Sequence, residues 1–586
     1  MSFPSNIPGV LGNTDLDQFD ALIVGSGAGG SAAAYKLTAK GWKVLVLEAG
    51  INPFPGLDRV DGRGGIPWPI FSNDELKMSI RGFVRQDYLL EPRTFRQADA
   101  ETATANPDVN VLTRNVGGAV VISDMNYPRF TKVDFHMASA LAEANRIPPG
   151  ASFADWPLSY DELAPFYTEA EQVTGVAGVA EGEGADPFSS RGGSPFVMPP
   201  VPPMYVGLVL ANGAKQKGYA PFNTPVGLNT QPYDNRSPCV SCGFCSGYGC
   251  PRHAKGSPAV TTLRKALLTQ KCQLRFNAHV TRLLVNANGR HVTGVEYVDD
   301  NGETQSVGAD RVVLAASPIE SVRICLLSDP GGPGIGNSKG HLGRHMMFHF
   351  QTIAAGIFRQ RLHGERGCSI THSMSDFRGI ERGGAALTSS GWPLGGIVEF
   401  GTSSEPITAA RQSLQPEAVN AAGFLGVTLK QLLVESPFQA HIAVMIMQGE
   451  DAPQFTNRVD LDPDVRDVFG QRVPRLTYKN HDQFELAAAD FYKPKMLGIL
   501  QAAGAEFGFF SPFDASVPPQ SRHVLGGLRI SADPTQSVCD PSGKFHDLDN
   551  LYCADGGVFV TSSGYNPTLT IIAMALRTAA AMVSPP

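Results

Sequence analysis

Charge is scarce in this chain, and neither sign dominates it. Charged residues make up 18% of the 586 positions, and the formal net charge is −7. Without a basic excess there is no electrostatic footprint for a phosphate backbone, so nucleic acid is not an expected partner. Long apolar runs are missing as well. No window reaches the eighteen or more uninterrupted apolar residues of a membrane-spanning helix. The opening stretch, MSFPSNIPGVLGNTDLDQFD, has neither a basic start nor an apolar centre, so it does not read as a secretory signal. The expectation is a cytoplasmic protein, with a periplasmic location through a small signal-carrying partner subunit as the alternative. Disorder is excluded by the 42% apolar content. The length exceeds what one simple core supports, so two or more domains are expected. Glycine (63) and proline (44) are both plentiful, consistent with many loops threaded between sheets.

What is present begins with Asp20 to Gly50, DALIVGSGAGGSAAAYKLTAKGWKVLVLEAG. Ala21 to Val24 have the length of a buried strand. Gly25, Gly27 and Gly30 form G-x-G-x-x-G, an alanine-rich helical segment runs to Lys40, and a second apolar run, Val44 to Leu47, ends on Glu48. The glycines permit a tight turn and let a pyrophosphate approach the helix N-terminus, whose free N–H groups favour an anion. Glu48 stands where a carboxylate can accept hydrogen bonds from a ribose diol. The pattern predicts a bound dinucleotide and leaves open whether it is NAD or FAD. Gly117 and Gly118, in RNVGGAV, suggest either another close backbone approach to a ligand or an ordinary turn.

Further along, Gly50 to about Asn110 reads as loops and short elements, with Trp68 and its aromatic neighbours as packing. Ser159 is placed to cap a helix through Leu163, Phe166 and Tyr167, and a second helical pattern runs from about Met204 to Lys217. Leu274 to Ala316 alternates as a strand meander with a turn at Asp300–Asn301–Gly302, then feeds a helix in PIESVRICLLS. From about Phe350 to Phe510, strand-like runs (Gly395 to Phe400, Ala440 to Met447) mix with a helical stretch from Gln483 to Leu500. Four cysteines cluster in SPCVSCGFCSGYGCP: Cys239, Cys242, Cys245 and Cys250. Their spacing is close to that of a ferredoxin, with one residue too many before the last. Thiolates so placed could hold an iron–sulfur cluster, a zinc ion, or one or two disulfides. The other five cysteines, including Cys368, read as packing.

Four separated segments together resemble one family. They are the N-terminal loop, RVVLAASPIESVRICLLSD with GIGNSKGHLGRHMMFH, NRVDLDPDVRDVFGQRVPRLTY, and the tail RHVLGGLRISADPTQSVCDPSGKFHDLDNLYCADGGVFVTSSGYNPTLTIIAMALRTA. In order and content they resemble the glucose–methanol–choline (GMC) flavin oxidoreductases, and DWPLSYDELAPFY with the cysteine insert resembles that family's sugar- and alcohol-acting dehydrogenases. The resemblance implies an α/β fold. A discontinuous Rossmann-like FAD-binding domain (15–140, 235–349 and 520–586) would join a β-sheet substrate domain covered by helices (141–234 and 350–519). It implies FAD, with Gly25, Gly27, Gly30 and Glu48 on the ADP part and Gly117, Gly118, Asp555 and Pro567 around the rest.

It also implies that His523 faces the flavin as the base and that Asn566 holds the substrate hydroxyl. Asn566 precedes Pro567 and an apolar helical run, so it also reads as a helix N-cap. The expected reaction is oxidation of an alcohol, on a sugar, glycoside or polyol, with electrons passed to a cytochrome, quinone or dye. An oxidase that uses O₂ and forms peroxide is the alternative. Some relatives carry an iron–sulfur cluster in the cysteine insert. After Gly118 the chain reads AVVISDMNYPRF, without the His or Cys that would anchor FAD, so a non-covalent flavin is expected.

Overall fold

The computed structural model describes residues 9–59, 86–106, 109, 113–364, 366–401, 438–511, 517–519 and 521–583. Trp68 lies outside them. The run Ala21–Val24 is a strand buried at every residue, as is Val44–Glu48. Unbroken burial of β-branched and aliphatic residues is the mark of a parallel sheet covered on both faces. That sheet has six strands, in the order Val10–Gly12, Cys272–Phe276, Val44–Glu48, Ala21–Val24, Arg311–Leu314 and Leu551–Cys553. All neighbours are parallel except the first pair. Strands from both ends and the middle of the chain therefore share one Rossmann-like sheet, and the nucleotide domain is discontinuous as expected. The helices Ala28–Ala39 and Thr568–Val583 pack on each other, and the helix Tyr160–Thr174 packs on the second of these, with Tyr167 Oη and Thr570 Oγ1 2.8 Å apart. Ser159 and Glu162 close the expected cap on that helix reciprocally.

The meander appears as three antiparallel strands, His279–Val285, Val292–Val298 and Thr304–Gly308. A second six-stranded sheet, wholly antiparallel, runs Ala505–Phe510, Phe350–Phe358, Ile442–Gly449, Val398–Gly401, Ile370–Met374 and Phe222–Asn223. The helices Tyr205–Gln216 and Ala487–Ala502 lie on it and bury Leu210, Met445, Tyr492 and Ile499 in one apolar cluster. This is the expected sheet covered by helices. Gly395 and Gly396 fall short of their strand because the backbone there passes against Gln448: a Cβ on Gly396 would stand 1.8 Å from its carbonyl oxygen. The hairpin Arg458–Arg466 and Arg472–Thr477 joins Thr94–Arg96 and Thr104–Ala105 in a separate four-stranded sheet.

Candidate active site

Gly25 ends its strand with φ +98°, a conformation that glycine alone adopts freely, and the helix Ala28–Ala39 starts at once. The helix N-cap, Gly27, has no side chain to satisfy the first-turn amides, which leaves them for an anion. The glycines differ in what surrounds them. A Cβ on Gly27 would meet nothing within 4 Å. One on Gly30 would stand 2.0 Å from the Gly25 carbonyl oxygen, and one on Gly29 would stand 1.6 Å from that of Ala554. Gly27 is thus open to a ligand, whereas Gly29 and Gly30 let backbones touch. Glu48 secures the loop: Ser26 donates to Oε2 from its amide (3.0 Å) and hydroxyl (2.6 Å), and Gly50 donates to Oε1 from its amide (2.9 Å). Burial pushes the Glu48 carboxyl above its ordinary pKa. The Gly117 amide donates to Ser26 Oγ (3.0 Å), and Gly118, at φ +62°, would bring a Cβ within 2.9 Å of the Gly27 Cα. The two glycine segments, some ninety residues apart in the chain, meet here.

A cavity of about 240 Å³ opens on this loop. Gly25, Gly27, Glu48, Gly118, His523, Asp555 and Pro567 all contribute to its wall, and Gly30, Gly117 and Asn566 are each chain neighbours of a wall residue, Gly29, Gly118 and Pro567. Thr113 Oγ1 and His279 Nδ1 belong to wall residues and are buried without a hydrogen-bond partner among the described residues. Buried polar atoms are ordinarily paired. These two, with the glycine cradle and the uncapped helix end, fit a dinucleotide such as FAD. The Asp555 carboxylate accepts from Ser321 Oγ (2.6 Å) and the Gly557 amide (2.8 Å).

At the far end of the wall, Met347 and Leu525 form an antiparallel bridge, each amide donating to the other's carbonyl (2.9 and 3.0 Å). The turn at Gly526 and Gly527, with φ of +81° and +92°, ties the same two segments together through Gly343 and Arg344. In that register the residues two positions out, His349 and His523, face each other. Their Nδ1 atoms are 2.8 Å apart, and His349 Nε2 lies 3.2 Å from the Ser562 carbonyl oxygen. Burial drives His523 well below the usual imidazole range, with His349 adding to the shift, and burial takes His349 to about 4. Both rings are therefore neutral at pH 7.

Asn566 departs from the cap reading. Its Oδ1 accepts from no described group, and its Nδ2 donates to Glu399 Oε1 (3.0 Å) on the antiparallel sheet. Asn126 donates to the same oxygen (2.5 Å) and Gln448 to Oε2 (2.8 Å). Burial raises the carboxyl of Glu399 to about 7. Neither His349 nor Glu399 stood out in the sequence. His349 lies in the quoted segment GRHMMFH, but its partner is 174 residues away.

In the cysteine insert, as elsewhere, the nine cysteines stand as free thiols. No group of three or more His, Cys, Asp or Glu among the described residues is placed to hold a metal ion. The insert turns through left-handed residues at Ser241, Gly243 and Gly247, and Cys239 and Cys250 pack half-buried against the apolar cluster beside it. Cys242 is exposed, whereas Cys245 is buried in an apolar cluster with Cys368. The residues do not fit an iron–sulfur cluster or a zinc ion on Cys239, Cys242, Cys245 and Cys250. The insert does pack behind Gly118: Lys255 donates to the carbonyls of Ser123 (2.7 Å) and Cys245 (2.6 Å).

Comparison with known proteins agrees with this geometry. Residues 208–351 and 453–575 match the GMC oxidoreductase family, and residues 23–57 match an NAD(P)-binding Rossmann-like domain. The chain is 28% identical to a gluconate 2-dehydrogenase flavoprotein of Pantoea cypripedii, over 98% of this chain and 95% of the relative. It is also 28% identical to a 2-methyl-1,2-propanediol dehydrogenase of Mycolicibacterium austroafricanum, over 96% and 95%. Its fold is similar to that of pyridoxine 4-oxidase from Mesorbium loti, with a TM-score of 0.61, 17% identity, and coverage of 96% of this chain and 99% of the other. The chain belongs to the GMC oxidoreductases and is an FAD-dependent oxidoreductase acting on CH–OH groups.

Proposed function

We propose that the chain oxidises an alcohol group of a polyol, sugar or glycoside to a carbonyl, with His523 as the base and an acceptor other than oxygen taking the electrons. The observation that carries this reading is that His523 stands in the wall of the same cavity as the loop Gly25–Gly27. Bound there without a covalent link, FAD supplies the acceptor for the hydride that leaves the alcohol carbon. The chain's own task is the proton. Hydride leaves readily only as the hydroxyl proton is removed, and a neutral imidazole can take that proton. Asn566 Nδ2 carries two hydrogens, of which Glu399 takes one; the other, with Oδ1, remains to orient the substrate hydroxyl. The helix Thr568–Val583 begins just beyond Pro567, and its N-terminal amides favour negative charge at that end of the cavity. Gly25, Gly27 and Glu48 border the ADP portion, with Gly30 letting the helix close against Gly25, and Gly118, Asp555 and Pro567 border the remainder, with Gly117 tying that segment to Ser26.

Support for the substrate class and the acceptor comes from the near end-to-end likeness to two dehydrogenases, whose names specify gluconate and a diol. The test is anaerobic titration of the purified holoprotein with a panel of polyols, sugars and glycosides, followed by air or a quinone dye. We expect flavin reduction by a polyhydroxylated compound and faster reoxidation by the dye than by air. Rapid reoxidation in air with stoichiometric peroxide would make the enzyme an oxidase and overturn the acceptor. Failure of every alcohol to reduce the flavin would overturn the reading itself.

A further inference from the structure

We infer that His349 is a positioning residue that fixes His523 as the Nδ1–H tautomer and so leaves His523 Nε2 as the nitrogen that accepts the substrate proton. The inference rests on the reading of His523 as the base and adds which atom acts and what holds it ready.

The hydrogens along one chain of contacts can be placed in turn. A carbonyl oxygen only accepts, so the 3.2 Å contact between His349 Nε2 and the Ser562 oxygen places a hydrogen on that nitrogen. A neutral imidazole carries one such hydrogen, which leaves His349 Nδ1 as a lone pair. The contact of 2.8 Å between the two Nδ1 atoms then requires His523 to be the donor. Its single hydrogen is therefore on Nδ1, and Nε2 is unprotonated. The ring centroids are 4.8 Å apart and the ring planes are inclined by 83°, so the two rings meet through their nitrogens and are not stacked. Both rings being neutral is a condition of the count. Burial enforces it for each, and Arg378 adds repulsion against a proton on His349. Arg378 is itself balanced by Asp134 (2.5 Å) and Glu450 (3.1 Å). Asp451 is engaged by the Phe348 amide (2.5 Å) and Tyr478 Oη (2.7 Å), next to the pair but not on it.

The backbone makes this arrangement rigid. The Met347–Leu525 bridge sets His349 opposite His523, and Ser562, whose carbonyl accepts the hydrogen bond from His349 Nε2, itself accepts through Oγ from the Asp451 amide (2.9 Å). During oxidation the hydroxyl O–H bond breaks and its proton moves to His523 Nε2. The imidazolium so formed keeps its Nδ1–H on His349 Nδ1, which spreads the new charge over a charge-assisted hydrogen bond. A histidine held in the wrong tautomer is a poor base, whatever its distance from the substrate.

Two measurements on the holoenzyme test this. Nitrogen-15 NMR of labelled histidine should show His523 protonated at Nδ1 and His349 at Nε2 in the resting enzyme; the opposite tautomer at either ring overturns the inference and needs no variant. Anaerobic flavin reduction across pH should be slowed about 10²-fold in His349→Leu, the lower range of proton-transfer assistance, with its acid-side midpoint displaced. His349→Asn, whose Oδ1 can accept the His523 Nδ1–H, should recover the rate to within about tenfold. Wild-type rate and pH profile in His349→Leu would overturn the inference, as would equal losses in the Leu and Asn variants with an unmoved profile. His523→Ala serves as the separate control. If it reduces flavin as fast as wild type, the assignment of the base fails, while the tautomers in the wild-type spectrum still decide the contact.

Discussion

At the scale of single residues, the site is set by what each polar group has left over after its neighbours are satisfied. Glu399 accepts from Asn126, Asn566 and Gln448, and this fixes the amide plane of Asn566 next to the wall residue Pro567. Its carboxyl is raised from 4.5 to about 7 by burial. The folded chain thus binds a proton between those values that the unfolded chain has released. Stability therefore falls as pH rises through that window, and a glutamine, with no proton to bind, lacks the slope. Urea melts at a series of pH values should show Glu399→Gln gaining on wild type from pH 4.5 to about 7, by up to about 1.4 kcal/mol per pH unit. A difference that stays constant across the window would contradict the assignment. Asn566 also shows the limit of local reading. Its place before Pro567 spelled a helix cap, but a buried carboxylate from another sheet competes for the same side chain and prevails, because an unpaired buried charge costs more than a lost cap.

At the scale of elements, the strand–loop–helix at Ala21–Ala39 was legible because its signals are local: an apolar run, a glycine spacing, a small-residue helix. What spacing does not reveal is which glycine serves the ligand and which serves packing. Gly27→Ala should leave the folded chain within about 0.5 kcal/mol of wild type, since nothing lies within 4 Å of the added carbon. The methyl would nevertheless enter the cavity and should lower retained FAD roughly tenfold, the equivalent of about 1.4 kcal/mol. Gly29→Ala should instead destabilise the fold by about 1–3 kcal/mol or more, because the Ala554 carbonyl cannot retreat from 1.6 Å without moving its strand. Flavin content and melting temperature of the two purified variants separate these outcomes; equal behaviour would contradict the division of roles. The cysteine insert is the converse case. Its spacing imitates a cluster motif, but Cys242 is exposed while Cys245 is buried with Cys368, a residue brought in from more than a hundred and twenty positions away, in an apolar cluster that Cys239 and Cys250 flank. Spacing specifies a metal site only when the intervening backbone curls around one point.

For the whole molecule, the central fact is topological. The parallel sheet takes strands from residues near 20, 45, 275, 312 and 552, so the glycine loop near the start and His523 in the tail share one cavity. The discontinuous domain and His523 could be anticipated only through likeness to a family, since no periodicity in the chain says that its ends meet. His349 and Glu399 were out of reach for a related reason: each acquires its role from a contact 174 or 167 residues long, fixed by sheet register and domain packing. The account stands on the claim that these distant segments form one alcohol-oxidising site with His523 as its base. The most direct test is the anaerobic rate of flavin reduction by a reducing polyol in His523→Ala, with FAD content matched to wild type. The account predicts that FAD remains bound and that reduction slows by about 10²- to 10⁴-fold. Reduction at the wild-type rate in the FAD-loaded variant would contradict it.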